Sequence, residues 1–387
     1  MRKIAVVTGT RAEYSYLRPL MRKINESSEL KLLVYVTGMH LLKEYGNTID
    51  EIIKDGFKID KKIDMMMKFD NTLYDMAISI GQGICGFANV LKEDKPDILI
   101  VFGDRVEAFA AAIAAAAMGI PIGHINGGDV GQGEIDNDLR HAITKLSHLH
   151  FTASNKSTER VLKLGEEKWR VFHVGSLSLD TIFNIQLLSK MDLCKKYSLK
   201  DKNLILLLYH PNRIEWVEAA DQMKLVVNAV ATVAAENDLE IIILYPNAYP
   251  GGAQIIGVIR EFLKTEKNVK IFENLPHIDY LSLLKASSVF IGNSSSGIIE
   301  APSLGVPYVC IGTRQLNRER ANNVIDVGYN KKEIIEGLRK ALFDVTFINL
   351  VKKRESPYGD GKTSEKIVKI LSEIQINKDL MQKKLTY

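Results

Sequence analysis

The sequence predicts an α/β protein with two Rossmann-like domains. At 387 residues the chain exceeds the length that one hydrophobic core usually serves, so two domains are expected. Short aliphatic runs alternate with longer helical stretches, which indicates buried parallel strands with helices on both faces of each sheet. The polar, lysine-rich stretch LLSKMDLCKKYSLKDKN, between roughly 184 and 203, breaks this alternation and is the expected inter-domain connection.

The predicted strands form two groups of about six, one on each side of that connection. The first group is IAVVT, LKLLVYV, DILIVF, PIGHI, HLHFT and RVFHV, and the second is NLILLLY, EIIILYP, VKIFE, SVFIG and VPYVCI. We therefore expect an N-terminal domain over 1–184, a C-terminal domain over 203–360, and a last helix with a frayed tail within 361–387. Ligands of such folds lie beyond the carboxyl ends of the strands, so the inter-domain cleft is the expected site.

Composition excludes several classes of function. Lys and Arg total 51 against 47 Asp and Glu, and no basic block is interleaved with aromatics, which argues against a nucleic-acid partner. The cysteines Cys85, Cys194 and Cys310 form no CxxC pair, so neither a disulfide framework nor a structural zinc site is expected. No signal peptide or membrane-length apolar run occurs, and a cytoplasmic protein without membrane contact is expected.

Two loops of the first half follow predicted strands. In TGTRAEY, Gly9 would let a ligand approach the backbone, and Arg11 offers a fork for phosphate or carboxylate at a helix start. A surface arginine is also common in such a loop, so both interpretations stay open. In FGDRVEA, Asp104 falls where the N-cap of the alanine-rich helix is expected, and also where catalytic groups are displayed.

The stretch HINGGDVGQGEIDNDLRH, 124–141, is dense in titratable groups directly after a predicted strand. Its spacing does not match a calcium loop, and no metal site is expected. Asp136 and Arg140 are four residues apart in a predicted helix and so share one face. An exposed ion pair is the plain alternative to a ligand site.

The second half offers a phosphate site. His210, in the YHPNR loop, could donate to a phosphate or a sugar hydroxyl, although a loop histidine is often incidental. In VFIGNSSSGIIEAP a strand runs into Gly292, and small hydroxyls at a helix start form a phosphate cradle. Glu300 on that helix could accept ribose hydroxyls, and Arg314 could balance phosphate charge.

Together, and in this order, these motifs resemble the hydrolysing UDP-N-acetylglucosamine 2-epimerases that feed sialic-acid-type sugar synthesis. The resemblance runs from TGTRAEYSYL through FGDRVEA, HINGGD and IDNDLRHAITKLSHLHF to IGNSSSGIIEAPSLGVP and GTRQLNRER. It implies a GT-B-like pair of Rossmann-like domains around a UDP-sugar cleft and a last helix that crosses back to the first domain. It also implies a homodimer or homotetramer and no cofactor.

The resemblance also implies a reaction and its residues. Loss of the C2 proton and departure of UDP from C1 give a 2-acetamidoglucal, and addition of water with reprotonation from the opposite face gives free N-acetylmannosamine. Asp104 and Asp136 match the acids of the family motifs, and Arg140 and His210 match groups that face the pyrophosphate and sugar. The implied UDP contacts are Arg11, Ser294, Ser295, Ser296, Gly297, Glu300 and Arg314.

One position departs from the family. The animal enzymes have HIEGGE where this chain has HINGGD, so Asn126 replaces a carboxylate, and an amide is no useful base. Either Asp104 and Asp136 carry the acid–base chemistry while Asn126 orients the N-acetyl group, or Asp129 or Glu134 substitutes. UDP-N-acetylglucosamine is the expected substrate. The alternatives are a UDP-2,4-diacetamido-2,4,6-trideoxy sugar, a GT-B glycosyltransferase, and a non-catalytic nucleotide-sugar sensor.

Overall fold

The structure is a computed structural model. It describes residues 1–42, 48–65, 73–131, 136–212, 214–247 and 250–387, without the side chains of Leu73 and Asp136. The described residues form two compact units. The first contains 1–129, 136–181 and 358–387, and the second contains 130–131 and 182–357 apart from the undescribed positions.

Each unit contains one parallel sheet. The first has seven strands in the order β3-β2-β1-β4-β5-β6-β7, and the second has six in the order β10-β9-β8-β11-β12-β13. The strands are β1 Arg2–Thr8, β2 Leu30–Thr37, β3 Lys61–Ile63, β4 Ile98–Phe102, β5 Ile122–Ile125, β6 Leu149–Thr152, β7 Val171–His173, β8 Leu204–Leu208, β9 Glu240–Leu244, β10 Val269–Phe272, β11 Val289–Gly292, β12 Tyr308–Ile311 and β13 Val324–Val327.

Helices connect most of the successive strands and follow the last one. They are α1 Arg11–Glu26, α2 Ile49–Lys54, α3 Leu73–Asp94, α4 Val106–Ala117, α5 Asp136–Leu146, α6 Asn155–Lys163, α7 Leu177–Asn184, α8 Lys190–Tyr197, α9 Ala219–Glu236, α10 Gly252–Thr265, α11 His277–Ala286, α12 Ser296–Ile299, α13 Ala301–Leu304, α14 Lys331–Phe343, α15 Val345–Val351, α16 Thr363–Glu373 and α17 Lys378–Met381. Short 3-10 turns cover Gly38–Leu41, Lys168–Arg170 and Trp216–Glu218. Over the parts of the chain that are described, no helix is long and apolar enough to cross a membrane.

The first sheet is buried on both faces. Along β1, Ile4 and Val6 enter one hydrophobic cluster, while Ala5 and Val7 enter another on the opposite side. This alternation follows from the two-residue period of a strand, and burial on both faces explains the nearly continuous aliphatic runs. The two parallel α/β sheets confirm the predicted fold class. The edge strands β3 and β13 are additional to the strands predicted from the sequence.

The C-terminal tail is ordered, so the prediction of a frayed end after about residue 376 is wrong. Asn377 caps α17 by accepting from the Leu380 N–H at 3.0 Å. The guanidinium of Arg170, which is fully buried, donates to the carbonyl oxygens of Asp379, Leu380 and Gln382. The carbonyls at the end of this short helix therefore have a charged partner inside the first unit.

The strand order reverses once in each sheet. In the first unit the reversal lies between β1 and β4, and in the second it lies between β8 and β11. Crevices open beyond the carboxyl ends of strands at such points and are the usual ligand sites of these folds. The residues that follow these four strands are therefore the first place to look for function.

Candidate active site

The crevice between β1 and β4 is filled by the protein's own side chains. Glu107 of α4 is fully buried and accepts from Nε and Nη2 of Arg105 at 3.1 Å each. A Cβ added to Gly9 would lie 2.7 Å from Glu107 Cγ, and one added to Gly38 would lie 2.6 Å from its Oε1. The small residue at position 9 therefore makes room for an internal carboxylate.

Two more buried titratable groups complete this crevice. Glu13 accepts from the Gly9 N–H at 2.7 Å, and burial, assisted by the nearby Glu107, raises the pKa of Glu13 to about 8. His40 lies 3.1 Å from Thr8 Oγ1 and 2.7 Å from Thr48 Oγ1, and burial lowers its pKa to about 4. Both groups are therefore neutral near pH 7.

Arg11 lies at the predicted helix start. It is the first residue of α1, which Thr10 caps. Its side chain is 32% exposed and its Nε lies 2.9 Å from Glu51 Oε1. An acidic neighbour reduces the net charge that Arg11 can offer an anion, but the exposed part of the guanidinium remains accessible.

Asp104, which follows β4, forms an ion pair with Arg140 of α5. Asp104 is not the N-cap that the sequence predicts, because α4 begins at Val106 with Arg105 as its cap. The Asp104 carboxylate instead forms an ion pair with Nη2 of Arg140, whose side chain is 8% exposed. Arg140 Nη1 also lies 3.7 Å from Oδ2 of the buried Asp129. One guanidinium thus faces two carboxylates.

Asn126 follows β5, the strand next to β4. Phe102 and Ile125 are partners in the register of β4 and β5, so the residues that follow them emerge next to each other. Asn126 has φ of +63°, a left-handed conformation that asparagine tolerates better than most residues. Its Oδ1 is shielded from solvent and has no hydrogen-bond partner among the described residues. A buried acceptor without a partner costs about 1–3 kcal/mol, so a donor supplied by a ligand would be stabilising.

Two predicted acids cannot be placed. Asp136 is the first residue of α5, one turn before Arg140, but its side chain lies outside what the structure describes. Glu134 lies wholly outside the described residues.

The crevice between β8 and β11 has a different lining. His210 follows β8, and its backbone N–H and C=O bond to the amide of Asn293 at 2.7 and 2.8 Å. The His210 Nδ1 accepts from the Asn247 N–H at 3.1 Å, which leaves the ring proton on Nε2. Burial, with Arg314 nearby, lowers the pKa of His210 to about 3. His210 is therefore a neutral donor through Nε2 near pH 7.

Arg314 and Gln315 hold the same loop from the next strand end. Arg314 Nη1 and Gln315 Nε2 donate to the Asn293 carbonyl at 3.0 and 2.8 Å. These bonds bring the guanidinium to the start of the serine loop, beside His210. A positive side chain, a neutral imidazole donor and small hydroxyls suit a phosphate group.

The serine loop differs in detail from the prediction. Ser294 and Ser296 are buried, Ser295 is half-buried, and the Ser296 N–H donates to Ser294 Oγ at 3.3 Å. A Cβ on Gly297 would lie 2.4 Å from the Tyr308 ring, so packing explains that glycine.

Glu300 is 2% exposed and joins two four-residue helices, α12 and α13, instead of lying within one helix. Pro302 explains the break, because proline lacks the N–H that would continue the hydrogen-bond ladder of the helix. The predicted ribose acid is thus held at a helix junction.

Sequence reasoning missed Glu107, His124 and Asn293. Glu107 lies in an alanine-rich helix, His124 lies within the aliphatic strand β5, and Asn293 precedes the more conspicuous serines. A charged or imidazole side chain within an otherwise apolar buried segment is the signal that could have found the first two. No group of three or more His, Cys, Asp or Glu in the described part of the chain could hold a metal ion.

Comparisons with known proteins agree with this geometry. A family model for UDP-N-acetylglucosamine 2-epimerase matches residues 22–372. A UDP-N,N'-diacetylbacillosamine 2-epimerase (hydrolyzing) of Legionella pneumophila is 39% identical over 385 residues, 99% of each chain. A GDP/UDP-N,N'-diacetylbacillosamine 2-epimerase (hydrolyzing) of Campylobacter jejuni is 38% identical over 331 residues, 85% of each chain. A UDP-N-acetylglucosamine 2-epimerase of Neisseria meningitidis is 32% identical over 344 residues, 88% of each chain.

Solved structures show the same fold. The UDP-GlcNAc 2-epimerase of Neisseria meningitidis, bound to UDP-GlcNAc, superposes with a TM-score of 0.82 at 23% identity, over 95% of this chain and 99% of that one. This likeness confirms the predicted GT-B-like class. The match of the family model to most of the sequence, together with relatives of this similarity, shows that the chain belongs to the UDP-N-acetylglucosamine 2-epimerase family.

Proposed function

We propose that the chain is a hydrolysing 2-epimerase of a UDP-linked 2,4-diacetamido-2,4,6-trideoxyhexose, and that it releases the C2-inverted sugar and UDP. One observation carries the substrate: the two relatives with the higher identities are named for diacetylbacillosamine, whereas the Neisseria relative named for UDP-N-acetylglucosamine is less similar. The proposal therefore favours the diacetamido alternative over the first expectation, UDP-N-acetylglucosamine, which becomes the second candidate.

The second unit would bind the UDP moiety. Arg314, the Nε2–H of His210 and the hydroxyls of the serine loop stabilise the negative charge that develops as UDP leaves C1, and Glu300 accepts the ribose hydroxyls. Since burial and Arg314 lower the pKa of His210 to about 3, His210 acts as a hydrogen-bond donor and does not protonate the leaving group. In this scheme UDP departs as an anion.

The first unit would act on the sugar. The Arg140 guanidinium favours the ionised form of Asp104, and an ionised carboxylate can accept a proton. Cleavage of the C1–O bond gives C1 oxocarbenium character, which acidifies the otherwise inert C2–H. Asp104 and Asp136 serve opposite faces of the ring, and Asn126 accepts the N–H of the 2-acetamido group.

The proposed steps balance. In the first, a carboxylate takes the C2 proton, the C–H electron pair becomes the C1=C2 double bond, and the C1–O pair leaves with UDP. In the second, a lone pair of water forms the C1–O bond, the C1=C2 pair takes a proton from the acid on the opposite face, the proton lost by the added water restores that acid, and the first carboxylate returns its proton to solvent. The sum is nucleotide sugar and water to free sugar and UDP, and inversion requires two groups on opposite faces.

Substrate preference tests the proposal. UDP release by the purified chain would be measured with UDP-N,N'-diacetylbacillosamine and with UDP-N-acetylglucosamine, each without any acceptor. We expect kcat/KM to be at least about tenfold higher for the diacetamido substrate, a difference of about 1.4 kcal/mol in transition-state stabilisation. A higher value for UDP-N-acetylglucosamine would favour the second candidate. Sugar transfer only to an added acceptor would identify a glycosyltransferase and refute the proposal.

The assembly and location stay predictions. A homodimer or homotetramer in the cytoplasm is what the family resemblance and the cysteine usage imply. Light scattering coupled to size-exclusion chromatography measures the oligomeric state, and a monomer at the assay concentration would contradict the predicted assembly.

A further inference from the structure

His124 is contacted at both ring nitrogens inside β5. Its Nε2 lies 2.7 Å from the Gly103 carbonyl oxygen, and its Nδ1 lies 3.1 Å from Thr144 Oγ1. A carbonyl can only accept, so Nε2 carries the proton. His124 is fully buried, and burial lowers its pKa to about 3. The ring is therefore neutral at any working pH.

Both contacts lead to the same ion pair. Gly103 directly precedes Asp104, and Thr144 lies one turn after Arg140 on α5. The Thr144 Oγ1 also lies 3.0 Å from the Arg140 carbonyl oxygen, so its one proton is shared between that oxygen and His124 Nδ1. His124 thus connects the backbone that carries the carboxylate with the backbone that carries the guanidinium.

The loop after β5 packs against the same two groups. A Cβ on Gly127 would lie 3.0 Å from His124 Nδ1 and 3.1 Å from Thr144 Oγ1, which is tighter than side chains usually pack. Asn126 directly precedes this glycine. The imidazole therefore lies at the meeting point of the segments that carry Asp104, Asn126 and Arg140.

We infer that His124 is a positioning residue that holds Asp104 and Arg140 in register for proton transfer at C2. The inference rests on the proposed function. A misplacement of about 1 Å in a reacting group can reduce the rate about a hundredfold, so a fixed link between the two segments has a catalytic consequence. A neutral ring provides this link without adding a charge that would compete for Asp104.

His150 provides a matched control. It is the register partner of His124 on the adjacent strand β6, and both side chains are fully buried. The His150 Nε2 lies 3.0 Å from Glu166 Oε2, so this ring is held by Glu166 instead of by Gly103 and Thr144. Removing either ring leaves a comparable defect in the sheet, but only one removal loosens the ion pair.

Steady-state kinetics on the intact chain separates the two roles. For His124→Phe we expect kcat to fall by about thirtyfold or more, with KM within about threefold, because the nucleotide contacts are unchanged. His150→Phe should lower the melting temperature by a similar amount yet keep kcat within about threefold. Equal losses of kcat in the two variants, or wild-type kcat in His124→Phe, would overturn the inference.

Two milder variants keep the test open if His124→Phe does not fold. His124→Gln can still donate to the Gly103 carbonyl and should recover part of the lost kcat. Thr144→Val has the same shape but lacks the hydroxyl, and we expect a loss of roughly threefold to tenfold in kcat. Wild-type kcat in Thr144→Val together with no recovery in His124→Gln would contradict a linking role.

Hydrogen exchange tests the same link without any substrate. In His124→Phe, peptides that cover 103–109 and 140–146 should exchange faster than in His150→Phe, because the Gly103 and Thr144 contacts are lost. Unchanged protection of both peptides would overturn the inference even if the wild type is active. If the wild type is inactive but His124→Phe still exchanges faster than His150→Phe, the proposed function is wrong while the link is real.

Discussion

The crevices at the two points of strand reversal have the same strand order but are lined by different side chains. Between β1 and β4 lie Glu107, Glu13 and His40, which are all buried. Glu13 accepts a hydrogen bond from Gly9, and His40 lies within hydrogen-bond distance of Thr8. Between β8 and β11 it places His210 and Arg314 around the Asn293 loop. The same strand order therefore does not decide which crevice suits a phosphate, since this depends on the side chains that line the crevice.

The difference also moves the chemistry of the first unit. Because its reversal point is occupied, the candidate polar groups of the first unit lie one strand further along, where Asp104 and Asn126 follow β4 and β5. In the proposed function, the first unit supplies the carboxylates and the second supplies the groups that bind the diphosphate. A reaction that removes a proton while a diphosphate departs needs both sets.

Removing the carboxylate of Asp104 should have the largest effect. For Asp104→Asn and Asp136→Asn we expect kcat to fall by about a thousandfold or more, because a neutral amide cannot take the C2 proton. UDP affinity, measured by calorimetry, should stay within about threefold. Asp129→Asn is the matched comparison, since Asp129 faces the same Arg140 at 3.7 Å. A larger loss in Asp129→Asn would assign the base to Asp129, and near-normal turnover in the first two variants would refute the assignment.

Acidification should unfold the first unit before the second. Burial lowers the pKa values of His40, His124 and His148 to about 4, 3 and 4 in the first unit, and that of His210 to about 3 in the second. Below pH 6.5 the unfolded chain binds protons that the folded chain does not. The free energy of unfolding therefore decreases as the pH is lowered, by about 1.4 kcal/mol per histidine at pH 5.5. In chains that carry Glu13→Gln, which removes the opposing titration of Glu13, the first unit should lose about 3 kcal/mol more than the second.

The two tryptophans allow this order to be measured. Trp169 lies in the first unit and Trp216 in the second, and the chain has no other tryptophan. Fluorescence of Trp216→Phe therefore reports the first unit, and that of Trp169→Phe reports the second. Coincident transitions in the two variants, or earlier loss of the second unit, would contradict the predicted order.

Loss of the guanidinium in the second crevice should weaken nucleotide binding. For Arg314→Met we expect the Kd of UDP to rise roughly tenfold to a hundredfold, because charge-assisted bonds to phosphate are among the stronger ones. Arg320→Met is the control, since Arg320 is engaged with Asp326 at 2.7 Å, and its Kd should stay within about threefold. Equal Kd values for Arg314→Met and wild type would remove Arg314 from the phosphate site.

The last comparison concerns Glu13. Its pKa is raised from 4.5 to about 8, so between these values the unfolded chain has lost a proton that the folded chain keeps, and stability falls as pH rises. Glu13→Gln does not titrate and can still accept from Gly9. Relative to wild type it should therefore gain about 1.4 kcal/mol per pH unit between roughly pH 5 and 8. Urea unfolding of both proteins at pH 6 and 7 measures this difference. A difference that does not change with pH would contradict the prediction.

The sheets could be predicted from the sequence because burial on both faces leaves continuous aliphatic runs. The strands β3 and β13 could not, because edge strands are short and partly polar, as Lys61–Ile63 shows. The order of the C-terminal tail could not be predicted from the local sequence either, because it depends on Arg170, which is about two hundred residues away in sequence.

Candidate site residues could be chosen from the sequence where a position at a strand end is itself the signal. Asp104, His210 and Arg314 were chosen in this way, and Arg140 from its spacing to Asp136 on one helical face, although the structure changes the cap expected at Asp104. His124 and Glu107 were not, because their importance lies in contacts to Gly103, Thr144, Gly9 and Gly38 that no sequence spacing reveals.

The fate of the hydrogen at C2 tests the proposed reaction most directly. The purified chain would be incubated with UDP-N,N'-diacetylbacillosamine in deuterated water, and the sugar followed by proton NMR. We predict free sugar, inverted at C2 and carrying deuterium there, together with UDP and without any acceptor. Released sugar that keeps its original C2 hydrogen and configuration would contradict the elimination and rehydration proposed for this enzyme.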